Sequence, residues 1–394
     1  MRILHTGDLH IGKTVNNFNM LEDQKYVLTQ MVNLVKEKNV QVFIIAGDVY
    51  DRAIPTAEAV RVFDEFIGKL HETGVTVLCI SGNHDSPERL SFAQEILEKK
   101  EVHFAGIYKG KCKQVRIEEE EGPVVFTLMP FVKPALLSMN TSDMAVRRML
   151  TDTFACGKEA DLAEVSEEIR RRAKKERQVL ITHYFVTNAG VQPELSDSES
   201  HVLVGGLDSV DGSLFAGFHY TALGHIHKQQ RMEGNNPLSG PVVYAGSPLA
   251  YSFSECGQAK GVVFVELDKE GNAIVENIPL VPLHKMRKLK GNLINLTEPM
   301  VTSMESCEDY LQITLTDEEE LIDPIGTLRR VYPNVMQLLF EKREKEIEGT
   351  FIAHSGMENK PIEELFGDFY ELIRGQRPDE AREHVVKEVI GEIV

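Results

Sequence analysis

The first 80 residues alternate between continuous apolar segments and amphipathic segments, and this alternation constrains the fold more than any other feature of the chain. Three apolar segments of the β type occur, at residues 2–6, 40–46 and 75–80. Two segments with apolar residues at helical spacing lie between them, over residues 23–38 and 56–73. Continuous apolar strands are typical of sheets that are covered on both faces. The order strand, helix, strand, helix, strand therefore predicts a parallel sheet in an α/β domain.

Polar side chains follow each of these strands at the point where the strand ends. Asp8 and His10 follow the first strand, Asp48 follows the second, and Asn83 and His84 follow the third. Residues two apart on extended backbone project to the same side, so Asp8 and His10 can bind one ion together. Taken alone, the Asp8–His10 motif favours a solvated loop, and the stretch with Asn83 is equally compatible with an ordinary turn. Their repetition predicts a functional site, because α/β sheets place their sites at the carboxyl ends of strands.

Three histidines follow later strands in the same way. A strand over residues 179–182 ends at His183, and a strand over residues 220–223 leads to His225 and His227. Carboxylate, amide and imidazole ligands without thiolate suit Mn²⁺, Fe²⁺ or Zn²⁺. The candidate ligands are Asp8, His10, Asp48, Asn83, His183, His225 and His227. This set is too large for one ion with an open position, and it predicts two ions that share a bridging carboxylate.

A site with two divalent ions predicts hydrolysis of phosphate esters. The ions polarise the phosphate and lower the pKa of a water that attacks phosphorus in line. His84 is the candidate proton donor to the leaving oxygen, because it lies beside Asn83 without being needed as a ligand. Asp85 follows it, and we expect the Asp85 carboxylate to hold the imidazole in one tautomer.

The charge of the chain limits how it can handle nucleic acid. There are 43 Lys and Arg residues against 61 Asp and Glu residues, a formal net charge of −18 at pH 7. This charge disfavours a basic nucleic-acid-coating surface and adhesion to anionic membranes. Nucleic acid stays compatible as a substrate, because metal ions or a partner can supply positive charge locally. We interpret the basic run over residues 170–175 as the outer face of a helix.

Cysteine usage and hydropathy indicate a cytoplasmic protein. The five cysteines are scattered and lack metal-type spacing, as expected for reduced thiols. No apolar run is long enough to cross a bilayer, and the first residues lead into a strand instead of a targeting segment. We therefore expect no membrane partner.

The length of 394 residues exceeds what one hydrophobic core usually serves. We predict a catalytic domain over residues 1–275, a small α+β domain over residues 276–340 and a C-terminal part with short helices over residues 341–394. Amphipathic helices after a charged stretch favour a docking element over a satellite of the core. The polar stretch over residues 188–210 is long enough to act as a substrate-facing flap.

The motifs, in this order, resemble those of the calcineurin-like metallophosphoesterase superfamily. They are Asp8-Leu9-His10, Gly47-Asp48, Gly82-Asn83-His84-Asp85, His183 and Gly224-His225-Ile226-His227. Longer stretches, including residues 5–12 and the Val204-Gly205-Gly206 loop, are similar to the SbcD nuclease subunits of bacterial SbcCD exonucleases. The resemblance implies a four-layer α/β/β/α sandwich with a small α+β capping domain that binds DNA, followed by C-terminal helices.

The resemblance also implies roles for individual residues. One ion would be held by Asp8, His10, Asp48 and His227. The other would be held by Asp48, Asn83, His183 and His225, with Asp48 as the bridge. His84 would act on the leaving group, with Asp85 as its support. Archaeal and eukaryotic relatives carry a histidine where this chain has Asp51, so no imidazole acts at that position.

Further expectations from the resemblance concern metal, substrate and partner. The metal would be Mn²⁺, and the activity would be exonuclease on double-stranded DNA ends and endonuclease on single strands and hairpins, in DNA repair, recombination and replication. An ABC ATPase of the SbcC type would receive the C-terminal helices, and the nuclease domains would form a homodimer.

Two alternatives stay open. A small-molecule or protein phosphoesterase on the same scaffold leaves the added domain and the tail without a role. A non-catalytic DNA-binding scaffold subunit is disfavoured by the intact ligand set and by the presence of His84.

Overall fold

The structure is a computed structural model, and it describes residues 1–155, 161–188, 190–199, 208–232, 240–298, 306–341, 366–367, 370–371, 375–379 and 382–386. The chain divides into two compact units, Met1–His284 and Lys285–Val394. A division after residue 275 would cut the strand Ala273–Pro279, which pairs along its whole length with Gly261–Leu267, and the first unit therefore extends further than predicted. The predicted loop at residues 204–206 and most of residues 341–394 lie outside the described residues.

The first six-stranded sheet contains the three strands that open the sequence. They pair in parallel, as predicted, with Leu4 opposite Phe43 and Ile44 opposite Leu78. In spatial order the strands are Ala273–Pro279, Gly261–Leu267, Arg2–Thr6, Val42–Ala46, Thr76–Ile80 and Val102–Ala105. The two strands from the end of the unit pair antiparallel and complete one edge.

The second six-stranded sheet contains the strands that precede the later histidines. These two strands are parallel neighbours, with Thr182 opposite Leu223. In spatial order the strands are Gln230–Met232, Val242–Tyr244, Tyr220–Leu223, Arg177–Thr182, Val124–Leu128 and Lys113–Ile117. The four central strands are parallel and the two outer strands are antiparallel to their neighbours.

The two sheets pack face to face, and helices cover their outer faces. A continuous buried cluster joins Ile44 of the first sheet to Phe126 of the second. On the outer face of the first sheet, the rings of Phe43 and Phe66 lie 5.7 Å apart. On the outer face of the second, Leu180 belongs to a cluster with the helix side chains, Met149 among them. The predicted four-layer α/β/β/α sandwich is confirmed.

All four covering helices form where the sequence supplies an apolar stripe, and three of the four also begin at a side-chain cap. The first sheet is covered by Leu21–Glu37 and Ala57–Glu72, and the second by Ser142–Phe154 and Leu162–Ala173. Thr56 caps the second of these with a bond from the Ala59 backbone N–H at 3.2 Å. Shorter helical elements are Pro87–Leu90, Gln94–Glu98, Pro134–Leu137, Gly212–Phe215 and Phe253–Glu255. No described helix combines the length and the apolar character that crossing a membrane needs.

Smaller sheets complete the described part of the chain. The first unit has two two-stranded sheets, Thr14–Val15 with Phe18–Asn19 and Phe185–Thr187 with Ser209–Asp211. The second unit has a parallel three-stranded sheet of Met286–Gly291, Tyr310–Leu315 and Val335–Phe340. Among its described residues, Leu293–Thr297 and Pro324–Arg329 form helices beside this sheet. Buried residues of strand and helix, such as Leu311 and Leu328, give this unit its own hydrophobic core.

Candidate metal centre

The predicted ligands follow five strands, and the structure brings them together at the carboxyl ends of those strands. Three groups of ligand atoms each fit within 4.8 Å: Asp8, His10 and His227; His10, Asp48 and His84; and Asp8, Asp48 and His183. Asn83 joins them, because its Oδ1 lies 3.0 Å from His183 Nε2 and 3.1 Å from His225 Nδ1. Residues from both sheets therefore meet in one buried cluster.

Several of these residues adopt a backbone conformation that L-amino acids rarely adopt. The φ angle is 52° at Asp8, 44° at His10, 51° at Asp48 and 97° at His225. Such strain is concentrated at functional sites and persists where surrounding contacts enforce it. Here the Asp8 backbone N–H donates to the Gly47 carbonyl at 3.1 Å, and the His10 backbone N–H donates to the Asp48 carbonyl at 3.0 Å. The loop that carries Asp8 and His10 and the loop that carries Asp48 therefore hold each other in the strained conformation.

Glycines precede the ligands because the loops approach one another closely. A Cβ atom on Gly82 would overlap the carboxylate and the backbone nitrogen of Asp48. A Cβ atom on Gly224 would overlap the carbonyl of Ala46 and the ring of His183. Only a residue without a side chain leaves room for these contacts. The glycines are therefore part of the site, and not only turn residues.

His183 has one ring nitrogen engaged and one that faces the cluster. Its Nδ1 donates to the Ala46 carbonyl at 2.7 Å, because a carbonyl can only accept. Its Nε2 lies 3.0 Å from Asn83 Oδ1 and 3.4 Å from Asp48 Oδ2. Burial disfavours a charged imidazole, but Asp48 outweighs burial and the pKa of His183 is raised to about 9. The cluster thus favours positive charge at this nitrogen, whether from a proton or a metal ion.

The other half of the cluster, around Asp8, His10 and His227, also offers ligand atoms to a cation. Nε2 of His10 lies 3.1 Å from Nε2 of His227. Two facing lone pairs repel, so either one of these nitrogens carries a proton and donates to the other, or both bind a metal ion. Burial raises the pKa of Asp8 to about 7, although nearby histidines oppose the shift. Divalent cations offset the cost of buried carboxylates, and this donor set of carboxylate, amide and imidazole suits them. The residues present fit two divalent ions.

His84 is oriented by the backbone, and not by Asp85 as predicted. Nδ1 of His84 donates to the carbonyl of Asp51 at 2.9 Å, and its backbone N–H donates to Asp48 Oδ1 at 2.9 Å. The Asp85 carboxylate instead accepts from the backbone N–H groups of Gly82, Val49 and Tyr50. The orienting role assigned to Asp85 is therefore corrected. Through these bonds Asp85 connects the loop that carries Asp48 with the loop that carries Asn83.

Two protein-family models match the sequence that forms this site and the unit after it. A model described as calcineurin-like phosphoesterase matches residues 1–229. The chain belongs to this family. A second model, described as Type 5 capsule protein repressor C-terminal domain, matches residues 282–373. The predicted enzyme class, a metal-dependent hydrolase of phosphate esters, is confirmed by the family membership.

Individual proteins are similar to this phosphoesterase in sequence or in fold. The SbcD subunit of the SbcCD nuclease of Staphylococcus epidermidis is 28% identical over 400 residues, which cover 100% of this chain and 99% of the relative. A dimetal phosphatase from Danio rerio is 12% identical with a TM-score of 0.40, covering 70% of this chain and 98% of that one. The protein TT1561 of Thermus thermophilus is 12% identical with a TM-score of 0.36 and the same coverage. The resemblance to SbcD subunits is confirmed by the first relative.

Sequence reasoning missed residues that hold the phosphoesterase loops from outside. Gln24, on the helix Leu21–Glu37, donates from Nε2 to the His10 carbonyl at 2.8 Å, and Tyr251 donates to the Leu9 carbonyl at 2.5 Å. Lys13 Nζ lies 2.7 Å from Asp51 Oδ1. A signal for Gln24 exists in the sequence, since this polar residue stands on the buried stripe of its helix. The other two have no marker of this kind.

Proposed function

We propose that the chain is the nuclease subunit of an SbcCD-type complex, cleaving double-stranded DNA ends and acting as an endonuclease on single strands and hairpins. The observation that carries the proposal is the buried cluster of carboxylates, an amide and imidazoles at the strand ends, in a chain that matches an SbcD subunit over its whole length. An intact ligand set favours an enzyme over a non-catalytic scaffold.

In this proposal Asp48 would be a ligand of both ions. One ion would be held by Asp8, His10, Asp48 and His227. The other would be held by Asp48, Asn83, His183 and His225. The support is that Asp48 Oδ2 lies 3.7 Å from His10 Nε2 and 3.4 Å from His183 Nε2, between the two halves of the cluster. Two divalent ions, Mn²⁺ in our proposal, supply Lewis-acid polarisation of the phosphate and an activated water.

His84 is the proposed proton donor to the leaving oxygen. Its Nδ1 is engaged with the Asp51 carbonyl, so Nε2 is the nitrogen that can exchange a proton with a substrate. The rings of His84 and His10 lie 4.8 Å apart, which keeps this donor beside the ligands.

An ATPase partner and the second unit complete the proposed nuclease. Residues 341–394 dock on an ABC ATPase of the SbcC type in the cytoplasm, and that partner supplies the basic DNA path that an acidic chain lacks. The part of the second unit over residues 285–340 forms a capping domain that binds DNA, and two nuclease domains form a homodimer. The support is the name of the SbcCD relative and the basic strand Met286–Gly291, which carries Arg287, Lys288 and Lys290.

The test compares substrates under the same metal conditions. The purified full chain is incubated with Mn²⁺ and a labelled double-stranded DNA end, a DNA hairpin or a p-nitrophenyl phosphodiester, each with and without a chelator. We expect DNA cleavage that the chelator abolishes. Hydrolysis of the small ester with intact DNA, both alone and with an SbcC-type partner, would favour the small-molecule phosphoesterase instead.

A further inference from the structure

The ring of His227 has a polar partner on the side away from the ligand cluster. Oγ of Ser198 lies 2.9 Å from His227 Nδ1 and 2.8 Å from Glu255 Oε1. Ser198 belongs to the segment of residues 190–199, and Glu255 ends the short helix Phe253–Glu255. Two distant parts of the chain therefore meet behind one candidate ligand.

His227, Ser198 and Glu255 form a hydrogen-bond relay, and the direction of each bond in it follows from the charge of Glu255. Lys260 Nζ forms an ion pair with Glu255 Oε2 at 2.5 Å, and the Glu255 side chain is 0% exposed. An ionised carboxylate can only accept, so the single hydroxyl proton of Ser198 is donated to Glu255. Ser198 Oγ must then accept from His227 Nδ1–H. The proton of a neutral His227 ring is thereby held on Nδ1, and its Nε2 lone pair faces His10.

The hydroxyl of Ser198 is fully used in this arrangement. It donates once, to Glu255, and it can accept twice, from His227 and from Ser196 Oγ at 2.8 Å. The Ser252 hydroxyl also donates to Glu255 Oε1, at 3.1 Å. Each donor in the relay therefore has an acceptor, and no two donors point their protons at each other.

The backbone of His227 is held by charged side chains as well. Lys260 Nζ donates to the His227 carbonyl at 2.8 Å and to Ser247 Oγ at 3.0 Å. The His227 backbone N–H donates to Glu199 Oε1. Both Glu199 and Glu255 are buried. The ring and the main chain of this one residue are thus fixed from two sides.

We infer that Ser198 and Glu255 are positioning residues that hold His227 in the tautomer able to bind a metal ion through Nε2. The inference rests on the proposed function, in which His227 holds one of two ions. His183 has its tautomer set by a backbone carbonyl, whereas His227 depends on side chains of other segments. Partners of this kind orient imidazole ligands and tune metal affinity.

The test measures Mn²⁺ binding to the metal-free full chain by electron paramagnetic resonance of the free ion. For Ser198→Ala we expect one ion to bind about 10–100-fold more weakly and the second to bind as in the unmodified chain. Ser198→Thr and Ser198→Val form a matched pair of similar shape, and we expect binding to be retained in the first and weakened in the second. Thermal unfolding of the metal-free variants checks the fold.

The control is Gln230→Ala, which removes a different anchor of the same segment. Gln230 accepts from the Glu194 backbone N–H through Oε1 and donates to the Glu194 carbonyl from Nε2, each at 3.0 Å, and neither contact involves Ser198, Glu255 or the ring of His227. We expect Gln230→Ala to bind both ions normally. Equal losses in Gln230→Ala and Ser198→Ala, or normal binding in Ser198→Val, would overturn the inference and leave the proposed function intact. An unmodified chain that binds no Mn²⁺ would overturn both.

Discussion

The backbone carbonyl of Asp51 lies 2.9 Å from Nδ1 of His84, and this contact decides which nitrogen of His84 can meet a substrate. A carbonyl cannot donate, so the Nδ1 proton stays engaged and Nε2 remains available. The side chain of Asp51 is separately paired with Lys13 Nζ at 2.7 Å. The ring of the proposed proton donor is therefore oriented by the Asp51 backbone carbonyl, and the Asp51 carboxylate takes no part in that contact.

Replacing His84 with Ser is expected to reduce DNA cleavage by about 10²–10⁴-fold while both metal ions remain bound, since only the proton donor is lost. Metal content by mass spectrometry and cleavage of a labelled DNA end measure the two effects. The exposed His71 provides a matched control, and His71→Ser should behave as the unmodified chain. Loss of both ions in His84→Ser would mean that His84 is a ligand.

Replacing Asp48 with Ala is expected to weaken binding of both ions, because its carboxylate lies between His10 and His183. Titration with Mn²⁺ counts the ions bound per chain. The same substitution at the exposed Asp64, on the helix Ala57–Glu72, should leave the count unchanged. A variant of Asp48 that still binds two ions with normal affinity would contradict the bridging role.

Replacing Gly82 with Ala is expected to displace Asp48, because the added methyl group overlaps its carboxylate and backbone nitrogen. Metal affinity and cleavage should both fall, and the unfolding temperature should decrease. Gly68→Ala is the control, since a Cβ there has no neighbour within 4 Å and the residue is helical. That variant should gain about 0.5–1 kcal/mol in the free energy of unfolding. Normal metal binding in Gly82→Ala would show that the loops can move apart.

The ion pair of Glu119 with Arg177 predicts a pH dependence of stability. Burial opposes ionisation of Glu119, but the Arg177 guanidinium at 2.8 Å and the backbone ammonium group of Met1 at 3.1 Å together outweigh burial. The pKa of Glu119 therefore lies below its usual 4.5. The stabilisation is therefore complete above the pKa of the unfolded chain and is lost as pH falls through the lower pKa of the folded state. At pH 7, Glu119→Gln should lower the free energy of unfolding by about 1.5–3 kcal/mol.

Denaturant unfolding of the unmodified chain and Glu119→Gln at several pH values measures this difference. It should shrink steadily as the pH is lowered below about 4, where the unfolded carboxyl is protonated. Glu120→Gln, at the exposed neighbouring position, should have little effect at any pH. A constant difference down to acid pH would mean that Glu119 contributes by packing rather than by charge.

Much of the fold and the candidate ligands could be read from the sequence, because both depend on local pattern. Apolar strands separated by amphipathic helices predict a parallel sheet wherever they occur. A ligand that directly follows a strand, such as Asp48 or His183, can be assigned to the sheet edge without knowing its neighbours. The glycines that precede the ligands are also evident in the sequence. The sequence does not show why glycine is required there, which is that a Cβ atom at Gly82 or Gly224 would overlap neighbouring loops.

The partners of those ligands were decided only by the tertiary structure. Asp85 is next to His84 in the chain, yet the contact to the His84 ring comes from Asp51, 33 positions away. Ser198 contacts His227, which is 29 positions away in the sequence, and Glu255, which is 57 positions away. The extent of the first unit was decided in the same way, by the pairing of Ala273–Pro279 at the sheet edge. The physical reason is that hydrogen-bond partners are selected among groups that strand pairing brings together, whereas periodicity reports only on neighbours along the chain.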